Sequence, residues 1–181
     1  MKTNKRFLAL CLALLLACAV LPAPAVQGAD VQPVLSAALA QQAAAVLSPG
    51  YGDEWTVLGL ARGGYFAVDS DYFARYYADV ASKAPELTAA SGKAGALNAY
   101  KSTDNSRVIL ALSAIGRDAT QVGGCDLIAP YADFSWVRNQ GINGPVFALL
   151  ALDSRNYLPG SAVRRQCVDA ILAAELSGGG W

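Results

Sequence analysis

From residue 30 onward, apolar positions recur at helical spacing, and no stretch alternates convincingly with period two. Gln32 to Leu47 is alanine-rich, with Val34, Leu35, Ala38, Leu39, Val46 and Leu47 on one side, and Ser48-Pro49-Gly50 stops it. Glu54 to Arg62 is short and apolar and ends at Gly63-Gly64. Asp71 is placed to cap a helix running to about Ala84, with Pro85 just beyond. Thr103, Asp104 or Asn105 caps Arg107 to Ile115, which Gly116 closes. Cys125 to Tyr131 reads as a further turn or two. Pro145 sits in the first turn of a helix reaching Leu152, and Ser161 caps a last one to about Leu176, before Gly178-Gly179-Gly180. The expected fold class is all-α, with seven or eight short helices joined by Gly/Pro loops.

Two kinds of helix alternate. Val108–Leu112 and Val146–Leu150 are apolar nearly all round, as helices buried on every side are. In 161–175, Val163, Cys167, Ile171, Val168 and Leu172 form one stripe, away from Arg165 and Asp169. Thr56–Gly64, Val108–Gly116 and Val146–Asp153 also echo one another. The offsets are 52 residues from Gly59 to Ala111 and 37 from Ala111 to Ala148. Inner and outer helices repeating every 40–50 residues point to two concentric layers, in a solenoid or a closed α/α ring.

The start of the chain follows another rule. Lys2, Lys5 and Arg6 precede an uncharged run from Phe7 to Val20, then Pro22, Pro24 and small residues, and the first acid is Asp30. Basic start, apolar middle and small-residue exit make a secretory signal peptide over 1–29, cut after Ala29 or Ala25. The apolar run is short of the roughly 20 residues of a membrane span. Leu15-Leu16-Ala17-Cys18 offers a lipoprotein alternative. Removing 1–29 takes three basic residues from the 14 Lys/Arg and none of the 14 Asp/Glu, so residues 30–181 carry 11 against 14, a net of −3. The expected location is secreted or cell-surface, with membrane contact only during export. Cys125 and Cys167 are the cysteines left; outside the cytoplasm a disulfide between them is allowed, and two free buried thiols are the other reading.

Composition narrows the chemistry. With 54% apolar and 15% charged residues the chain has material for a core. It has no histidine, so no Ser-His-Asp or Cys-His triad and no H-E-x-x-H zinc site can form within it. Its balanced charge argues against a nucleic-acid partner.

The tail, Arg165…Ile171-x-x-x-Glu175-x-x-x-Gly179-x-Trp181, resembles the QW repeat of terpene cyclases and prenyltransferase-like proteins. Glu175 stands where Gln is usual, and Ala170 where an aromatic is expected. Glu54–Arg62, Ser106–Leu112 and above all Gln140–Ser154 resemble the prenyltransferase/squalene-oxidase-repeat surface proteins of Gram-positive bacteria, a likeness covering nearly all of 31–181. The resemblance implies an α/α toroid that continues past Trp181, so 30–181 is expected to be the N-terminal part of that domain, from a truncated gene or fragment. An open edge with roughly 400 Å² of apolar surface left wet forgoes about 10 kcal/mol, comparable with a domain's whole stability of about 5–15 kcal/mol. The expectation is marginal stability or self-association through that edge.

The residues do not carry the family's chemistry. Zinc-binding His is absent, and Asp69-Ser70-Asp71 lacks the adjacent acidic pair of an Asp-x-Asp-Asp motif and reads as a helix cap. Asp53-Glu54 reads as a helix start, and Asn143-Gly144-Pro145 as a cap and turn. Tyr72, Phe73, Tyr76 and Tyr77 make one stripe, suited to packing between layers or to lining a cavity. The candidate cavity or rim residues are Trp55, Arg62, Tyr76, Arg107, Trp136 and Trp181. No catalytic residue, metal or cofactor is expected, and the partner is an unidentified ligand or surface. The favoured function is a non-catalytic binding or scaffold module. The alternatives are a cyclase- or prenyltransferase-like enzyme completed by a missing half, and a carrier of the cobalamin type.

Overall fold

The computed structural model describes residues 31–181; the expected signal peptide, its cleavage sites and the Leu15–Cys18 alternative lie outside them. Among the described residues there are seven α-helices and no strand. They are α1 (Gln32–Ala45), α2 (Glu54–Arg62), α3 (Asp71–Ser91), α4 (Ser102–Ala114), α5 (Phe134–Arg138), α6 (Asn143–Asp153) and α7 (Ala162–Ala173). A 3₁₀ turn, Ala129–Ala132, precedes α5, and one isolated bridge joins Val122 to Cys125. The chain is all-α, as its periodicity indicates.

α4 is the centre of the core. Val108, Ile109, Ala111 and Leu112 are completely buried, with α2 packed on one flank and α6 on the other. The three self-similar segments are thus three neighbouring helices. α6 packs in turn on α5 and α7. α3 stands off behind large side chains: Tyr72, Phe73 and Tyr76 are buried, and Phe66 stacks on Tyr72 at 4.6 Å between centroids. Its aromatic stripe is core packing.

Several boundaries differ from the sequence reading, each for a local reason. α3 runs through Pro85 to Ser91 and ends at Gly92, whose φ of 69° is left-handed. Pro85 has no N–H to give the Ala81 carbonyl, and the backbone of Gly123 lies against that carbonyl instead. A Cβ at Gly123 would come within 2.0 Å of the Ala81 oxygen. α4 starts a turn before Arg107, at Ser102. Asn105, expected as a cap, is a buried crosslink: its Oδ1 accepts from Leu97 N–H (2.8 Å), and its Nδ2 donates to the carbonyls of Gly95 (2.7 Å) and Leu127 (3.0 Å). The Ser106 and Tyr131 hydroxyls meet at 2.6 Å, and Ser102 Oγ donates to the Val137 carbonyl. α5 escapes periodicity because it has only five residues; the Asp133 carboxylate starts it by accepting from Ser135 and Trp136 N–H.

Two burial expectations are corrected. α6 is not enclosed all round, since Leu150 is exposed, and the expected α7 stripe is split: Val163 and Cys167 are buried, Val168 and Leu172 exposed. The apolar side of α1 is also largely bare, because only Leu39 and Ala43 reach the core. Arg164 closes the α6–α7 connection. It donates to the carbonyls of Leu152, Tyr157 and Leu158 and pairs with Asp153. Those bonds brace a loop in which Asn156 and Leu158 adopt left-handed φ values of 53° and 46°.

Candidate functional site

The chemistry of the described residues concentrates where α2 and α4 begin. Asp53 and Glu54 open α2, and Glu54 is turned inward to 1% exposure. Its Oε1 accepts from Gly52 N–H at 2.7 Å. Its Oε2 has no hydrogen-bond partner and faces Arg107 Nη1 at 3.9 Å. The other arm of the guanidinium, Nη2, donates to Asp104 Oδ1 at 2.7 Å, one turn earlier on α4. Arg107 is therefore a cation held between two carboxylates, one fully buried and one half-buried.

Two tyrosines share this field. Tyr76, from α3, is fully buried with its hydroxyl unpartnered. Burial first, then the Glu54 carboxylate, raise its pKa. The Tyr51 phenol is raised by burial, with Asp104 and Glu54 adding. Its backbone N–H is fixed by Asp79 Oδ2 at 2.7 Å, and Asp79 is paired with Lys83 at 2.8 Å. The Lys83 hydrogen bond is the main reason why the Asp79 carboxyl lies below the ordinary carboxylate range, with Tyr51 N–H second.

Arg107 and Asp104 form one wall of an open cleft of about 440 Å³, shared with Lys101, Thr103, Gln140 and Asn143 and with the ring of Phe147. Thr103 N–H donates to Gln140 Oε1 at 3.1 Å, tying the start of α4 to the α5–α6 loop. Trp55, half exposed on α2, lies 6.0 Å from Phe147, ring to ring, and extends the aromatic side of the cleft. The cleft thus offers amide and guanidinium donors, a carboxylate and an aromatic edge, all carried by helix ends.

Of the six residues singled out in the sequence, three come together here: Arg107 on the wall, Trp55 beside Phe147, and Tyr76 within the field of Glu54 and Arg107. Trp136 acts at one remove. It is buried edge-on to Tyr131, and its indole N–H donates to the Asn98 carbonyl at 3.1 Å. Asn98 Oδ1 in turn accepts from the N–H groups of Tyr100 and Lys101, fixing the loop that presents Lys101. Arg62 is exposed in the last turn of α2, away from the cleft lining, where a positive charge suits the helix's negative end. Trp181 is elsewhere: its indole N–H donates to the Ile171 carbonyl at 2.5 Å, beside a separate cavity of about 400 Å³ lined by Ile142, Val146 and Ile171.

Cys125 and Cys167 are free thiols in the structure. Cys167 is fully enclosed on α7, and burial pushes its thiol up to about 11 against a weaker pull from Arg164. Cys125 is half-buried at the isolated bridge. Among the described residues, no group of three or more His, Cys, Asp or Glu side chains is placed to hold a metal ion, and no helix is long and apolar enough to cross a membrane.

Glu54, Lys101, Asp104, Gln140 and Phe147 are the site residues that the sequence alone misses. Glu54 reads there as an ordinary helix start, and only its position ahead of Val57-Leu58-Gly59-Leu60 hints that the chain carries it inward. Gln140 lies next to the glycines of a loop and gives no signal. No family model matches the chain, nor does any curated protein or solved structure with which it was compared.

Proposed function

We propose that the chain is a secreted or cell-surface, non-catalytic binding or scaffold module built on a prenyltransferase-like α/α toroid. The observation that carries the reading is the row α2–α4–α6, in which the three self-similar segments lie side by side with α4 buried between the other two. A helical ring is assembled from such neighbours, with α3 and α7 as members of its outer layer. The indole of Trp181 donates to the Ile171 carbonyl and so ties the Gly-rich tail back onto α7.

The cleft at the start of α4 is the binding surface of this module. Lys101 and Arg107 balance Asp104 and Glu54, so the site carries no net charge. With amide groups on one side and Phe147 and Trp55 on the other, it suits a small uncharged polar solute with one apolar face, such as a short saccharide.

Two measurements test this. N-terminal sequencing of protein recovered from the medium of a Gram-positive host should begin at Asp30 or Val26; retention inside the cell with Met1 intact overturns export. Titration of the protein with short saccharides, followed by tryptophan fluorescence, should perturb Trp55, and both Phe147→Ala and Gln140→Ala should abolish the response. No response from any neutral saccharide, or a response that survives both substitutions, overturns the cleft assignment.

A further inference from the structure

The largest concentration of exposed apolar side chains in α2–α7 lies on the last two helices. Leu150 is 50% exposed, Val168 44% and Leu172 59%, and Trp181, beyond the end of α7, is 62% exposed. Along α6 and its N-cap, Ile142, Val146, Leu149, Leu150 and Asp153 form one stripe at helical spacing; along α7 and the residues just past it, Arg165, Val168, Ile171, Leu172 and Glu175 form another. Of these, Leu150, Asp153, Arg165, Val168, Leu172 and Glu175 are exposed, Ile142, Val146, Leu149 and Ile171 are half-buried, and α6 and α7 run antiparallel. Asp153 pairs with Arg164, Leu149 and Val168 line one cavity, and Ile142 and Val146 meet Ile171 at another. The floor between the helices is thus an apolar groove, mirrored on the other side of α6 by the contact that α6 makes with α4.

We propose that this α6–α7 face is the interface of a two-fold dimer, covered by the same face of a second copy of the chain. The proposal is independent of the cleft and its ligand. Charge order selects the occupant. α7 begins with Arg164 and Arg165, carries Asp169 at mid-length and is followed by Glu175. That order opposes its own helix dipole, which favours acids at the start and bases at the end. Arg164 is occupied within the chain by Asp153 and three carbonyls. Arg165 has only the Gly160 carbonyl, and Asp169 and Glu175 enter no ion pair among the described residues.

An antiparallel copy of α7 related by an axis near Val168 resolves this order. Each Arg165 comes within a turn of the partner's Asp169, and Val168 and Leu172 of both copies close over one another. A self-complementary patch of this kind is what a closed two-fold contact requires. Val168 and Leu172 lie at its centre and Arg165, Gln166 and Asp169 at its exposed rim, the apolar-inside, polar-outside order of a protein interface.

Sedimentation equilibrium of the isolated protein between about 1 and 200 μM tests this, a range that spans micromolar affinities. The expected result is a monomer–dimer equilibrium with twice the chain mass at the upper end. Val168→Arg and Leu172→Glu should each leave a monomer with unchanged far-ultraviolet circular dichroism. Arg165→Asp should weaken the dimer at least tenfold, and the swap Arg165→Asp with Asp169→Arg should restore it. A monomer throughout the range overturns the proposal. So does a dimer indifferent to the α7 substitutions, which would place the contact elsewhere, for example on α1.

Discussion

At the residue scale, Glu54 depends on a single opposite charge. One oxygen is bonded and the other is buried with only Arg107, 3.9 Å away, to balance it. Arg107→Ala therefore strands a buried charge and should cost about 2–3 kcal/mol in a denaturant melt. Glu54→Gln keeps an acceptor for Gly52 N–H and should cost less than about 1 kcal/mol. The double variant should be more stable than Arg107→Ala alone; equal or lower stability would show that the pair is not coupled. Asp79 has a lowered pKa because it is charged beside Lys83 and Tyr51 N–H. A depressed carboxyl stabilises the fold above its unfolded value of about 3.9, and that contribution disappears as pH falls through the lower folded value. Asp118, held chiefly by Thr120 N–H, and Asp133, held chiefly by Lys93, act in the same direction. Stability should hold down to about pH 4 and fall below it, and Asp79→Asn should flatten part of that acid limb. An unchanged limb would remove Asp79 from the account.

Elements were legible wherever the helix carries its own punctuation. α2 is bounded by Asp53-Glu54 and Gly63-Gly64 and was readable residue by residue, and Gly116 marks the end of α4 through its left-handed φ of 75°. Failures came where a tertiary contact replaced a local signal. Pro85 reads as a stop because the Gly123 backbone that covers the Ala81 carbonyl comes from a distant loop. Asn105 reads as a cap because its buried partners lie 8, 10 and 22 residues away, beyond the reach of a local capping pattern. Gly144 teaches the same lesson: it reads as part of a turn, yet it lies in the first turn of α6, where a Cβ would come within 1.7 Å of the Val137 carbonyl oxygen. Gly144→Ala must push α6 away from α5 and should destabilise by about 3 kcal/mol. A loss under about 0.5 kcal/mol, the scale of an ordinary surface change, would contradict that close approach.

For the molecule as a whole, the row α2–α4–α6 follows from repetition that the sequence displays, whereas its exposed flank does not. Leu150, Val168 and Leu172 have the hydrophobicity of core residues, and helical periodicity identifies an apolar stripe without saying what lies opposite. The cleft was half legible for a related reason: Arg107, Trp55 and Tyr76 stand out by type, but Lys101 joins them only through the loop that Trp136 and Asn98 fix, and Gln140 only through its bond from Thr103 N–H. The central claim is a helical stack organised around α4, and hydrogen exchange read by mass spectrometry tests it most directly. Peptides covering Val108–Leu112 should exchange slowest of all, those of α2 and α6 next, and those of α1 fastest among the helices. Exchange of α4 as fast as that of α1 would contradict the stack.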